Sequence, residues 1–162
     1  MDNGLLENFN RQVNLEFYSA YLFFAMSVYF DEIAMNGFSK FMRHKASEKL
    51  QCAQKIFDYI VIRDEKLTLA KIDEPLNDWI NVTDVFSAAF SHEEFMMNEF
   101  KNLYKKARDV DDFAALEFIL ELLDNQIKSV GFFRKLVFRV KNANIITPNI
   151  EQLDFMINER KI

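Results

Sequence analysis

The chain has 162 residues, half of them hydrophobic and 28% charged, which is one domain's worth of ordinary soluble composition. Its formal charge of −5, without a long basic run, argues against nucleic-acid binding, and its longest apolar stretch, Ala20 to Phe30, is too short to cross a bilayer. The lone Cys52 cannot close an intrachain disulfide and the Met1-Asp2-Asn3-Gly4 start lacks a secretory signature, so the cytoplasm is the expected compartment.

Three glycines and two prolines leave few places to turn, and eighteen phenylalanines exceed what a small core normally needs. Those rings fit either a Phe-rich core or surfaces between subunits. Helical spacing runs from residue 4 to about 33, with Phe9, Val13, Ala20, Phe23 and Ser27 on one stripe. Met35-Asn36-Gly37 is expected to end that helix, since Asn and Gly tolerate helix-stopping conformations. A second helix, from about 38 to 63, carries Met42, Cys52, Ile56 and Tyr59. Residues 64 to 81, with Pro75 and the only tryptophan, Trp79, read as a long connection. Thr83 is the expected N-cap of a third helix to about 108, with Phe86, Ala89, Met97, Phe100 and Tyr104 in register. Asp109-Val110-Asp111-Asp112 marks a break. A fourth helix follows to about 141, aligning Leu116, Ile119, Leu123, Val130 and Phe133. Thr147-Pro148 opens a short fifth helix to about 160. Two short links and one long connection predict an all-α four-helix bundle with a single long crossover, one domain over residues 1–162.

Each long helix carries a polar residue on its inward stripe: Glu16 between Val13 and Ala20, Glu93 between Ala89 and Met97, and Gln126 between Leu123 and Val130. The second helix places Lys49 and Cys52 between Met42 and Ile56. Side-by-side packing brings these groups to one depth. Two buried carboxylates need a cation, either a metal ion or Lys49. Spacing alone favours the lysine, because an ammonium repels a metal and has no lone pair to offer.

The stretches Gln12-Val13-Asn14-Leu15-Glu16, Ala46 to Lys55, Phe86 to Glu93 and Phe118 to Gln126 resemble the bacterial non-haem ferritins, with matching intervals along nearly the whole chain. The resemblance implies a ferritin-like bundle with a short fifth helix. It also implies a ligand set of Glu on the first helix, Glu-x-x-His on the second, Glu on the third and Gln-x-x-Glu on the fourth. Glu16, Glu93 and Gln126 keep their places. Lys49-Leu50-Gln51-Cys52 puts Lys for the bridging Glu and Cys for the His, Gln126-Ile127-Lys128-Ser129 puts Ser for the last acid, and Phe23 stands for a tyrosine.

The expectation is therefore iron storage by a hollow homo-oligomer, of twenty-four subunits as the family implies, with ferroxidase activity impaired. Lys49 is expected to pair with Glu16 or Glu93, while Glu16, Glu48, Glu93 and Gln126, with Cys52 nearby, form a loose iron site. The alternative is a ferritin-like shell that no longer oxidises iron. Around Arg43, His44, Lys45, Glu48, Lys49 and Gln51 the mineral-facing surface is mixed rather than acidic. Asp109, Asp111 and Asp112 lie near the family's three-fold channels and suggest an acidic ring for iron passage. Leu50 occupies the neighbourhood of the haem-binding Met of bacterioferritins, so haem is not expected. His92, next to Glu93, is expected either to reach a neighbouring polar group or to serve a surface role, the second being favoured. No membrane or nucleic-acid partner is implied.

Overall fold

The computed structural model describes residues 1–143 and 149–159. It contains α1 (Asn3–Glu32), α2 (Asn36–Ile62), α3 (Val82–Asp109), α4 (Phe113–Asn142) and the short α5 (Ile150–Asn158). Apolar residues recurring every three or four positions give each long helix a buried stripe, so the helices fold by covering one another's stripes. Tight links pair α1 with α2 and α3 with α4. The 63–81 crossover returns the chain the length of the bundle, and α5 packs on α2. This is the single-crossover topology that the spacing predicts.

The stops are built without glycine. Ala34, Asp64 and Asp111 take the left-handed conformation, with φ of 59°, 56° and 55°, just past the ends of α1, α2 and α3. At each, two backbone bonds close the turn: Ala34 N–H to Asp31 and Met35 N–H to Phe30, with equivalent pairs at Asp64-Glu65 and Asp111-Asp112. The first break therefore falls at Ala34, and Asn36 and Gly37 already belong to α2. Gly37 serves a different purpose. A Cβ there would lie 1.9 Å from the Asp154 carbonyl oxygen, so glycine is what lets α5 sit against the start of α2. Asp154 also supplies the cap that α2 lacks locally, its Oδ1 accepting the Phe38 N–H at 2.6 Å.

The remaining caps are local. Asp2 caps α1 and Asp112 caps α4. Asn81, not Thr83, caps α3: its extended backbone lets Oδ1 accept the Asp84 N–H, while Asp84 accepts from Ile80. Asn149 and Gln152 form a reciprocal capping box at α5. The Thr147-Pro148 start predicted for this helix lies outside the described residues. Met96, Ala115 and Leu122 are fully buried where spacing pointed to Met97, Leu116 and Leu123, which are half-buried. One residue is a 100° step, so both members of each pair border the stripe.

The crossover lies along α1. The Asn14 side chain accepts the Ala70 N–H and donates to the Lys71 carbonyl, and Asn10 accepts the Thr68 N–H. Trp79 packs edge-on against Tyr29. At the α3–α4 end, Arg63 grips Asp112 through two hydrogen bonds of 3.1 and 2.9 Å and also reaches the Tyr59 hydroxyl. Asp109 pairs with Arg108, and Asp111 is exposed.

The apolar interior is split in two. One cluster gathers Phe23, Phe30, Phe38, Phe86 and Phe133 with Leu153 of α5, and the other gathers Leu5, Phe9, Val13, Ile56, Ile60 and Phe100. Seven phenylalanines are fully buried, each contributing about 1.5–3 kcal/mol through removal from water. Between the clusters lies a polar layer. Among the described residues, no helix is long and apolar enough to cross a membrane.

Candidate metal centre

The polar layer is Gln12, Glu16 and Ser19 from α1, Lys49 from α2, Glu93 from α3 and Gln126 from α4. Helical spacing explains their meeting. Glu16 sits between Val13 of one cluster and Ala20 of the other, and Glu93 between Ala89 and Phe100 in the same way. Both carboxylates are fully buried, and Lys49 is 5% exposed.

Lys49 Nζ stands 2.8 Å from Glu93 Oε1 and donates to Gln126 Oε1 at 2.9 Å. The Gln126 amide turns its nitrogen the other way, donating to both Glu93 Oε2 and the Glu93 backbone carbonyl at 2.9 Å. Lys49, Glu93 and Gln126 thus close a ring in which each side chain holds the next. Burial works to raise the Glu93 carboxyl, but the Lys49 ammonium outweighs it and holds the group below the usual carboxylate range. Ser129 stands beside Glu93 and favours its charged form as well. For Lys49, burial favours the neutral amine, and the charges of Glu16 and Glu93 overcome it, raising its affinity for the proton.

Glu16 is treated differently. Gln12 Nε2 donates to its Oε1 at 3.0 Å, whereas Oε2 is buried without a hydrogen-bond partner. Burial raises this carboxyl above its ordinary value despite opposition from Lys49 and Gln12. The Cys52 thiol lies against Glu16, its own acidity suppressed by burial and by that carboxylate.

Glu48 takes a separate course. One position from Lys49 on α2, it is rotated to the exposed side and pairs with Lys45 and, at 3.2 Å, with His44. Of the four ligands expected from the sequence, Glu16, Glu93 and Gln126 therefore meet in the interior while Glu48 stands outside it. Glu16, Glu48, Cys52 and Gln126 nevertheless all border one cleft of about 510 Å³ between α2 and α4, with Lys45, Lys49 and Lys55 on its α2 side. Among the described residues, no group of three or more His, Cys, Asp or Glu side chains is arranged to hold a metal ion.

Sequence reasoning missed Gln12, although a glutamine four residues before a buried glutamate on the same face is a readable pair. For His92 it favoured the surface over contact with a neighbouring polar group. The ring is instead half-buried among Tyr18, Phe23 and Phe95. Its Nε2 lies 2.8 Å from Ser19 Oγ, whose proton is given to the Leu15 carbonyl, so the imidazole donates to the serine. Burial, with the Lys49 charge, lowers the His92 pKa to about 4.

A four-helix bundle with one crossover and an ionisable layer at mid-core defines a class of protein whose chemistry lies inside the bundle. The model of the ferritin-like domain matches residues 6–143. A bacterial non-heme ferritin of Staphylococcus aureus (strain USA300) is 30% identical over 133 residues, covering 82% of this chain and 80% of that protein. Its counterpart in Staphylococcus saprophyticus is 29% identical over the same span. Among solved structures, an open-pore ferritin from the hyperthermophilic archaeon Archaeoglobus fulgidus superposes with a TM-score of 0.94 at 28% identity, over 98% of each chain. The chain belongs to the ferritin family.

Proposed function

We propose that this protein is an iron-storing ferritin subunit, one domain throughout, in which a tethered ammonium stands where a bridging carboxylate holds iron in its relatives. The observation that carries this reading is the Lys49 Nζ contact with Glu93 at 2.8 Å. Two ferrous ions side by side repel each other, and a carboxylate between them offsets that repulsion. An ammonium at the same depth adds to it instead. Of the ligands expected for iron, Glu93 and Gln126 are committed to Lys49, and Glu48 to Lys45 and His44. Glu16 lies against the Cys52 thiol and accepts from Gln12. Iron at this depth is accordingly held weakly, and paired oxidation there is slow. Storage then relies on a closed cytoplasmic cage of many copies that encloses iron oxidised elsewhere.

The test has two parts. Particles recovered from iron-rich culture are expected to have a multi-subunit mass and to contain iron. Anaerobic protein loaded with ferrous ions and mixed with dioxygen is expected to oxidise them slowly, without a rapid absorbance transient. A fast transient saturating at two ions per subunit would show the impaired-centre reading wrong. The second reading, a structural or sequestering shell that no longer oxidises iron, draws on the same buried lysine and predicts particles that come out empty from that culture.

A further inference from the structure

A second cavity, of about 490 Å³, lies between α2, α4 and the end of α5. Lys40, Phe41 and His44 reach it from one face of α2, being three or four residues apart, and Gly37 opens that face by letting α5 approach. Phe132 of α4 and Ile157 and Asn158 of α5 complete the lining. Phe41 and Phe132 are half-buried with ring centroids 5.4 Å apart, and Ile157 is buried, so the floor is apolar. The rim is polar and positive. Lys40 is exposed and makes no ion pair among the described residues, unlike Lys45, Lys55 and Lys128, each of which holds a carboxylate. Two acids on the same helices are engaged elsewhere, Glu48 by Lys45 and His44, and Asp154 by the Phe38 N–H.

We propose that this cavity binds a small, flat aromatic carboxylate, with its ring on Phe41 and Phe132 and its charge on Lys40. A pocket of this size suits one small molecule, its apolar walls supplying affinity and its few polar groups fixing orientation. A ring set against two phenylalanines gains contact energy beyond simple burial. Lys40 brings one positive charge, which one carboxylate balances; a more highly charged anion would leave charge unmatched over the rings. The exposed Asn158 amide can donate to the second carboxylate oxygen. This site lies apart from the polar layer and requires neither iron nor the Lys49–Glu93 contact.

The test is titration of the full-length protein, freed of iron, with naphthoate, followed by the fluorescence of the ligand. Saturation at one molecule per subunit is expected. The neutral naphthamide, of nearly the same shape, is expected to bind about two- to fivefold more weakly, the range for an exposed ion pair. Lys40→Gln is expected to bring naphthoate down to the affinity of naphthamide and to leave naphthamide unchanged. Phe41→Leu is expected to weaken both ligands together. Far-ultraviolet circular dichroism of both variants checks that the bundle is intact. The proposal is overturned by absence of saturable binding, by equal affinity of the two ligands for the parent protein, by an undiminished preference for naphthoate in Lys40→Gln, or by full affinity in Phe41→Leu. Iron content does not enter the measurement, so the storage reading and this site can each fail alone.

Discussion

At the residue scale, the interior is governed by which charges are paired. Lys49→Met strands the Glu93 carboxylate inside the bundle and is expected to cost about 3–5 kcal/mol in urea denaturation, the range for breaking a buried pair from one side. Adding Glu93→Gln to that variant is expected to recover most of the loss, because an amide is buried at smaller cost than an unpaired charge. His92 titrates in the opposite sense to a paired histidine. Its folded pKa of about 4 lies below the ordinary 6.5, so its contribution to stability is complete above 6.5 and is lost as pH falls toward 4. Denaturation midpoints across that window are expected to decline in the parent protein and to flatten in His92→Gln. Spacing made Glu16, Lys49, Glu93 and Gln126 legible as one layer, because each sits on an apolar stripe. It did not say which acid the lysine would take. That choice depends on the Gln126 amide orienting both partners across helices far apart in sequence. The outward turn of Glu48 was readable in principle, since a residue adjacent to a buried lysine is rotated by 100°.

At the element scale, helices existed in the sequence more clearly than their ends did. The stop after α1 was expected at Asn36-Gly37 and occurs at Ala34, a residue whose side chain opposes the conformation it adopts. Ala34→Gly is therefore expected to stabilise the protein by about 0.5–1 kcal/mol, seen as a higher denaturation midpoint. Gly37 could not be assigned its purpose from sequence, because the contact it permits is with Asp154, 117 positions away. Gly37→Ala is expected to unseat α5 while leaving α1–α4 in place. Hydrogen exchange would then rise selectively over residues 150–158. Asp154→Ala, which removes the cap on α2, is expected to cost about 1 kcal/mol and to raise exchange at the start of α2 as well.

At the scale of the whole molecule, two groups of phenylalanines stand apart by their exposure. Seven fill the core, while Phe24, Phe95, Phe113, Phe138 and Phe155 stay at least 41% exposed on the isolated chain. Such rings are expected to be covered by neighbouring copies, and light scattering would then give a mass many times that of one chain. The composition raised both uses without choosing, since exposure is decided by helix rotation rather than by residue count.

The lysine between the two halves of the core has a last consequence for how the chain folds. A bundle whose central positive charge is covalently part of the chain is expected to fold without waiting for a metal supply. Protein purified from iron-starved and from iron-rich cells is expected to melt at the same temperature.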